Sequence, residues 1–138
     1  MGARPDSVRV SGSGCPCGSG VLYGACCRPL LRSQVEAPTA ESLMRSRYTA
    51  YVRRDSEYVL RTWHATTRPE DTDPAGDDAA WRGLEVLNVV DGRAHDDAGI
   101  VSFAAHFEEP SGAIGTLRET SRFVREDGLW FYVDGNVS

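Results

Sequence analysis

Thr116-Leu117-Arg118-Glu119-Thr120-Ser121-Arg122-Phe123-Val124 is the run on which the reading of the architecture turns. Side chains alternate across a strand with period two, so Leu117, Glu119, Ser121 and Phe123 share one face, and Thr116, Arg118, Thr120 and Arg122 share the other. The run is followed by Asp127-Gly128, a hairpin signal, and then by a second β-rich run over 129–133 that stops at Asp134-Gly135. Working back toward the N-terminus, 100–107 reads as a strand closed by Pro110-Ser111-Gly112, and 84–90 as a strand closed by Asp91-Gly92. Four strands joined by short turns predict an antiparallel meander.

Two helices are expected before the sheet. Pro38-Thr39-Ala40-Glu41 is a helix entry, with Thr39 as N-cap and Glu41 in the first turn. From there Leu43, Met44, Tyr48, Tyr51 and Val52 fall on one face, with Arg45, Arg47, Arg53 and Arg54 mostly elsewhere. A second helix starts at Asp55-Ser56-Glu57, carries Tyr58, Val59, Leu60 and Trp63, and stops by Arg68, because Pro69 disfavours helix in the residue before it. Residues 28–37 read as a connector and 70–80 as an acidic loop. Helices followed by a meander predict an α+β domain, its curved sheet wrapped over the first helix.

The chain has 138 residues, 41% hydrophobic and 25% charged, which excludes a large multidomain enzyme. It has no run approaching the roughly 20 apolar residues of a membrane span and no apolar block resembling a signal peptide near Met1, so no membrane role and a cytoplasmic location are expected. Lysine is absent. Residues 1–69 hold ten arginines against five acids, a charge of +5, whereas 70–138 hold five against fifteen, a charge of −10. Such asymmetry serves a polyanionic partner on the basic half, or attraction between the halves as they fold.

All four cysteines lie in one window, Cys15-Pro16-Cys17-Gly18-Ser19-Gly20-Val21-Leu22-Tyr23-Gly24-Ala25-Cys26-Cys27. A disulfide framework would spread them to close long loops; four thiols this close suit one cation. Gly18, Gly20 and Gly24 let the chain turn back so that the sulfurs converge. Four thiolates with no open position predict a closed structural site for Zn²⁺, with mononuclear iron in the same cage as the alternative. Adjacent Cys26 and Cys27 do not match the usual iron–sulfur cluster spacings. His95 and His106 have no metal-ligand spacing to the cysteines.

Two resemblances extend this reading. Cys15-Pro16-Cys17-Gly18-Ser19-Gly20, then Tyr23 and Cys26-Cys27, resembles the SEC-C motif, the small metal-binding module at the C-terminal end of the SecA preprotein translocase and in other bacterial proteins. The segments from Ala40 to Tyr51, Thr62-Trp63-His64, Thr67-Arg68-Pro69, Glu119 to Phe123 and Trp130 to Gly135 resemble the YchJ family, which joins a SEC-C motif to a cone-shaped, nuclear-transport-factor-2-like α+β domain. The chain departs from that family's expected pattern at Arg118, where histidine would stand. The resemblance implies a flexible N-terminus over 1–14, a metal module with its connector over 15–37, and the cone over 38–138.

Several functions follow as expectations. A non-enzymatic protein with metal ligands Cys15, Cys17, Cys26 and Cys27 would present a surface to a protein or ribosome-associated partner, the ribosome being implied by what SEC-C modules resemble. Arg28, Arg32, Arg45, Arg47, Arg53 and Arg54 would be available to acidic surfaces. Alternatively, the cone holds a pocket for a small-molecule ligand or for acid–base chemistry, built from Tyr48, Tyr51, Trp63, His64, Arg68, Glu119, Ser121 and Arg122, with His64 as base and Glu119 orienting it. Glu119 and Ser121 equally suit a buried polar network, Glu119 taking Arg68, Arg122 or His64 as partner. No phosphate loop, nucleophile elbow or open catalytic metal motif is present. Nucleic-acid binding is the third reading, disfavoured by net acidity and the absence of aromatics interleaved with the arginines.

Overall fold

The computed structural model describes residues 14–70 and 79–138. The expected flexible N-terminus, Gly14 apart, and residues 71–78 of the acidic loop lie outside the described residues. A 3-10 turn, Tyr23–Ala25, leads into α1 (Arg28–Leu31), α2 (Ala40–Val52) and α3 (Ser56–Arg61). Four strands follow: β1 (Ala80–Asp91), β2 (Ala98–Glu108), β3 (Ile114–Glu126) and β4 (Leu129–Val137). They pair antiparallel in sequence order, the expected meander. Among the described residues no helix is long and apolar enough to cross a membrane.

α2 begins where its sequence predicts. The Thr39 hydroxyl accepts from the Ser42 backbone N–H at 3.1 Å, and the Ser42 hydroxyl accepts from the Thr39 N–H at 3.1 Å, a reciprocal cap. The helix is buried on more than the one expected face: Leu43, Met44 and Tyr48 meet the sheet, Ala50 meets α3, and Thr49 meets the cysteines. Its N-terminus sits on the hairpin between β1 and β2, where the Ala40 N–H donates to the Gly92 carbonyl at 2.9 Å. A Cβ on Gly92 would stand 2.7 Å from the Ala40 Cβ, so only glycine permits this approach. The core is Leu43, Met44, Tyr48, Val101, Ala105, Phe123 and Trp130, between α2 and the concave side of the sheet.

Several boundaries differ from expectation, β1 among them, which starts at Ala80 and not at Leu84. The 28–37 connector contains the turn α1, with Pro29 in its first positions, where a missing N–H costs nothing. α3, capped by the Asp55 carboxylate accepting from the Tyr58 N–H at 3.1 Å, ends at Arg61 and not near Arg68. The reason is tertiary: the Tyr132 N–H donates to the Thr62 carbonyl at 2.9 Å and the His64 N–H donates to the Tyr132 carbonyl at 2.7 Å, so the chain leaves the helix to cover the free edge of β4. Asp134-Gly135 is not a turn. β4 absorbs Val133 as a bulge between the Arg122–Asp134 and Phe123–Tyr132 pairs and runs on to Val137, pairing Gly135 with Ser121.

Candidate functional site

The four cysteines converge as the window predicts. Their Sγ atoms all lie within 4.8 Å of one another. Cys17 and Cys26 are 3.7 Å apart and Cys26 and Cys27 4.0 Å, close to the edge of about 3.8 Å for a tetrahedron with metal–sulfur bonds of roughly 2.3 Å. Gly18 and Gly20 take positive φ, 79° and 85°, and the Cys15 N–H closes the loop on the Val21 carbonyl at 2.9 Å. Gly24 instead lies within the 3-10 turn.

Thiolate charge at this site is supported by hydroxyls. Thr49 of α2 donates to Cys27 Sγ at 3.4 Å and sits 3.7 Å from Cys15 Sγ, while the Ser19 hydroxyl lies 3.2 Å from Cys26 Sγ. Before a cation binds, four crowded thiols share protons unequally. Hydrogen bonding from Cys27, foremost, holds the Cys17 thiol well below its usual value, and the same contact, with burial, pushes Cys27 up. A cation replaces those protons, so the donor set fits a four-thiolate metal centre.

The centre is docked on the rest of the chain. Arg45, paired with Glu41 at 2.9 Å, donates to the Cys17 carbonyl at 2.7 Å, and the cysteine cluster packs on Leu31 and Leu84. Arg45 therefore serves the knuckle and is not the open surface charge that was expected. Arg53 likewise lies over the Tyr23 ring at 4.5 Å.

Beneath the sheet lies a cavity of about 280 Å³. Its apolar wall is Met44, Trp81, Phe103, Ala105, Leu117 and Phe123; its polar end is Arg47, Glu119, Ser121 and Tyr132, with Tyr48, Tyr51 and Trp63 between. Of the residues proposed from sequence, Tyr48, Tyr51, Trp63, Glu119 and Ser121 line it. His64, Arg68 and Arg122 do not.

Each of those three is engaged outside the cavity. His64 Nε2 bonds Glu126 at 2.8 Å and its Nδ1 bonds the Thr66 hydroxyl at 2.6 Å, because pairing with Tyr132 turns its ring toward Phe131. His64 and Glu119 are thus not a base and its orienting carboxylate. Arg68 is exposed and donates to the Trp63 carbonyl at 3.0 Å. Arg122 is on the outer face, paired with Asp134 at 2.5 Å. Glu119 takes none of the three expected partners; its Oε2 accepts from the Ser121 hydroxyl at 2.8 Å and the Tyr132 hydroxyl at 3.1 Å.

Arg47 is the residue that sequence reasoning misplaced. It is 7% exposed, against the surface role expected of it. Its Nη1 donates to the Val59 carbonyl and the Thr62 hydroxyl, both at 2.7 Å, capping the last turn of α3. The guanidinium also lies 4.5 Å from the Tyr132 ring centroid and 5.1 Å from that of Trp63. Burial lowers its pKa, opposed by Tyr51, Tyr132 and Glu119. Spacing carried the signal, since Arg47 lies three residues after Met44 and four before Tyr51, inside the apolar stripe.

Comparison with known proteins agrees with both parts. The family model described as "YchJ, middle NTF2-like domain" matches residues 39–135. The chain belongs to the YchJ family. YchJ relatives described as UPF0225 proteins include one from Streptomyces avermitilis, 47% identical over 96% of this chain and 90% of the relative. Another, from Deinococcus radiodurans, is 46% identical over 87% and 86%. Among solved structures, a SEC-C motif containing protein from Rhodopseudomonas palustris matches with TM-score 0.80 at 32% identity, over 90% of this chain and 98% of that one. A second such protein, from Psychrobacter arcticus, gives 0.72 at 28% identity, over 90% and 82%. The α+β cone with an N-terminal cysteine cluster is therefore the fold of this YchJ protein.

Proposed function

We propose that this YchJ protein is a non-enzymatic zinc protein whose closed centre rigidifies a docking surface for a protein or ribosome-associated partner in the reducing cytoplasm. The observation that carries it is the convergence of four sulfurs within 4.8 Å of one another, a donor set that would fill all four positions of one cation and leave none open for substrate. Thiolate softness suits zinc and mononuclear iron alike, and zinc is preferred because a closed four-sulfur cage is its commonest structural use. Beside the centre, Val21 and Leu22 are 45% and 55% exposed, with Arg28 and Arg32 exposed nearby in sequence. An exposed apolar pair, with exposed arginines a few residues on in the chain, suits an acidic partner with an apolar contact of its own.

Metal analysis of untagged protein purified without added metal tests the first half, beside a Cys15→Ser/Cys26→Ser control. One equivalent of zinc, lost in the control, is expected; iron would correct the metal, and no metal would remove the basis of the proposal. For the surface, Val21→Asp/Leu22→Asp should keep the metal and abolish co-sedimentation with ribosomes or capture of the partner. Retention of binding by that variant would move the docking surface elsewhere.

A further inference from the structure

We propose that the cavity beneath the sheet is a binding site for a small, net-neutral aromatic molecule whose polar head carries both a hydrogen-bond donor and an acceptor, as an aromatic carboxamide does. The polar end is incomplete without such a group. Arg47 uses only Nη1, and its Nε and Nη2 have no protein acceptor among the described residues, although the side chain is more than nine-tenths buried and lines the cavity. At the same end, Glu119 Oε2 is filled by Ser121 and Tyr132, while Oε1 has no donor among the described residues. Arg47 and Glu119 make no ion pair with each other. Two spare donors of Arg47 and one spare acceptor of Glu119 therefore line the same polar end, where one ligand group can pair with both.

Charge sets the class of molecule. The one guanidinium and one carboxylate at this end balance, so a net anion would meet Glu119 and a net cation would meet Arg47, each without compensation. Size and lining set the body. Seven of the thirteen lining residues are aromatic, and a cavity of about 280 Å³ exceeds the roughly 150 Å³ that already accepts benzene in a protein core. His64, turned to Glu126, takes no part.

The test uses the full chain with its metal and three probes of similar size: benzamide, benzoate and benzylammonium. Binding is followed by the indole and backbone signals of Trp63, Trp81 and Leu117 in nitrogen–proton correlation spectra. Benzamide should shift those signals saturably, with benzoate and benzylammonium at least tenfold weaker. Glu119→Gln removes one charge and keeps an acceptor, so it should reverse the order and make benzoate the tighter ligand. Leu117→Trp, which fills the apolar wall, should abolish binding of all three while leaving the remaining spectrum folded. Absence of saturable shifts at these residues with every probe, preference of the unsubstituted protein for benzoate or benzylammonium, or undiminished binding in Leu117→Trp would overturn the assignment.

Discussion

Glu119 and Gly135 show how closely single residues depend on one another here. Gly135 of β4 pairs with Ser121 of β3, the Glu119 side chain reaches over it from two residues away, and a Cβ at position 135 would meet the Glu119 carboxylate well inside contact distance. Gly135→Ala should therefore destabilise the protein by about 1–3 kcal/mol by displacing that carboxylate from Ser121 and Tyr132. Glu119→Ala in the same chain should recover part of the loss, and equal penalties with and without Glu119 in a denaturant double-mutant cycle would show that the carboxylate is not what the methyl group meets. Thr49 has a comparable role at the cysteines. Its hydroxyl donates to Cys27, so Thr49→Val is expected to weaken metal binding about tenfold in a chelator competition, with the fold retained. The cysteine ligands and Glu119 were legible from local pattern, because clustering and strand alternation are properties of neighbouring residues. Arg47, although its spacing from Met44 and Tyr51 puts it inside the apolar stripe, was read as a surface charge, because arginine normally is one and only the end of α3 supplies the carbonyl and hydroxyl that hold it inside.

At the scale of elements, caps and turns were the legible features and lengths were not. Thr39 and Asp55 cap α2 and α3 as their sequences require. Thr39→Ala should cost about 1 kcal/mol and lower the melting temperature by about 3 °C; no change in calorimetry would mean that burial of α2 alone sets its start. The end of α3 belongs instead to a partner 68 or more residues distant, since Thr62 and His64 pair with Tyr132. His64 adds little to that pairing. Its contact to Glu126 involves a carboxylate 58% exposed, so His64→Ala should cost less than about 1 kcal/mol and leave cavity occupancy unchanged. A larger loss on urea unfolding would assign the imidazole a structural weight that its geometry does not carry. β4 outruns its expected end for a related reason: Asp-Gly marks a turn only where the chain is free to reverse, and here the bulge at Val133 keeps both residues in the ladder.

For the whole molecule, the four-cysteine cluster and the cone are joined through α2, one face of which meets the sheet while Thr49 and Arg45 reach the cluster. Chelation of the metal should lower thermal stability and expose the amides of α2 near Arg45 and Thr49, with the β2–β3 hairpin keeping its hydrogen-exchange protection. Complete loss of protection in β2 and β3 would make the centre a requirement for the entire fold. The cysteine cage, the helix starts, the order of the four strands and the inward face of β3 follow from sequence, because each depends on spacing along a short stretch of chain. The burial of Arg47, the exclusion of His64, Arg68 and Arg122 from the cavity, and the pairing of Glu119 with Ser121 and Tyr132 arise only when the sheet curls over α2. Those arrangements are settled by which groups meet across the core, and a buried charge or hydroxyl takes the partner that three-dimensional packing brings within reach.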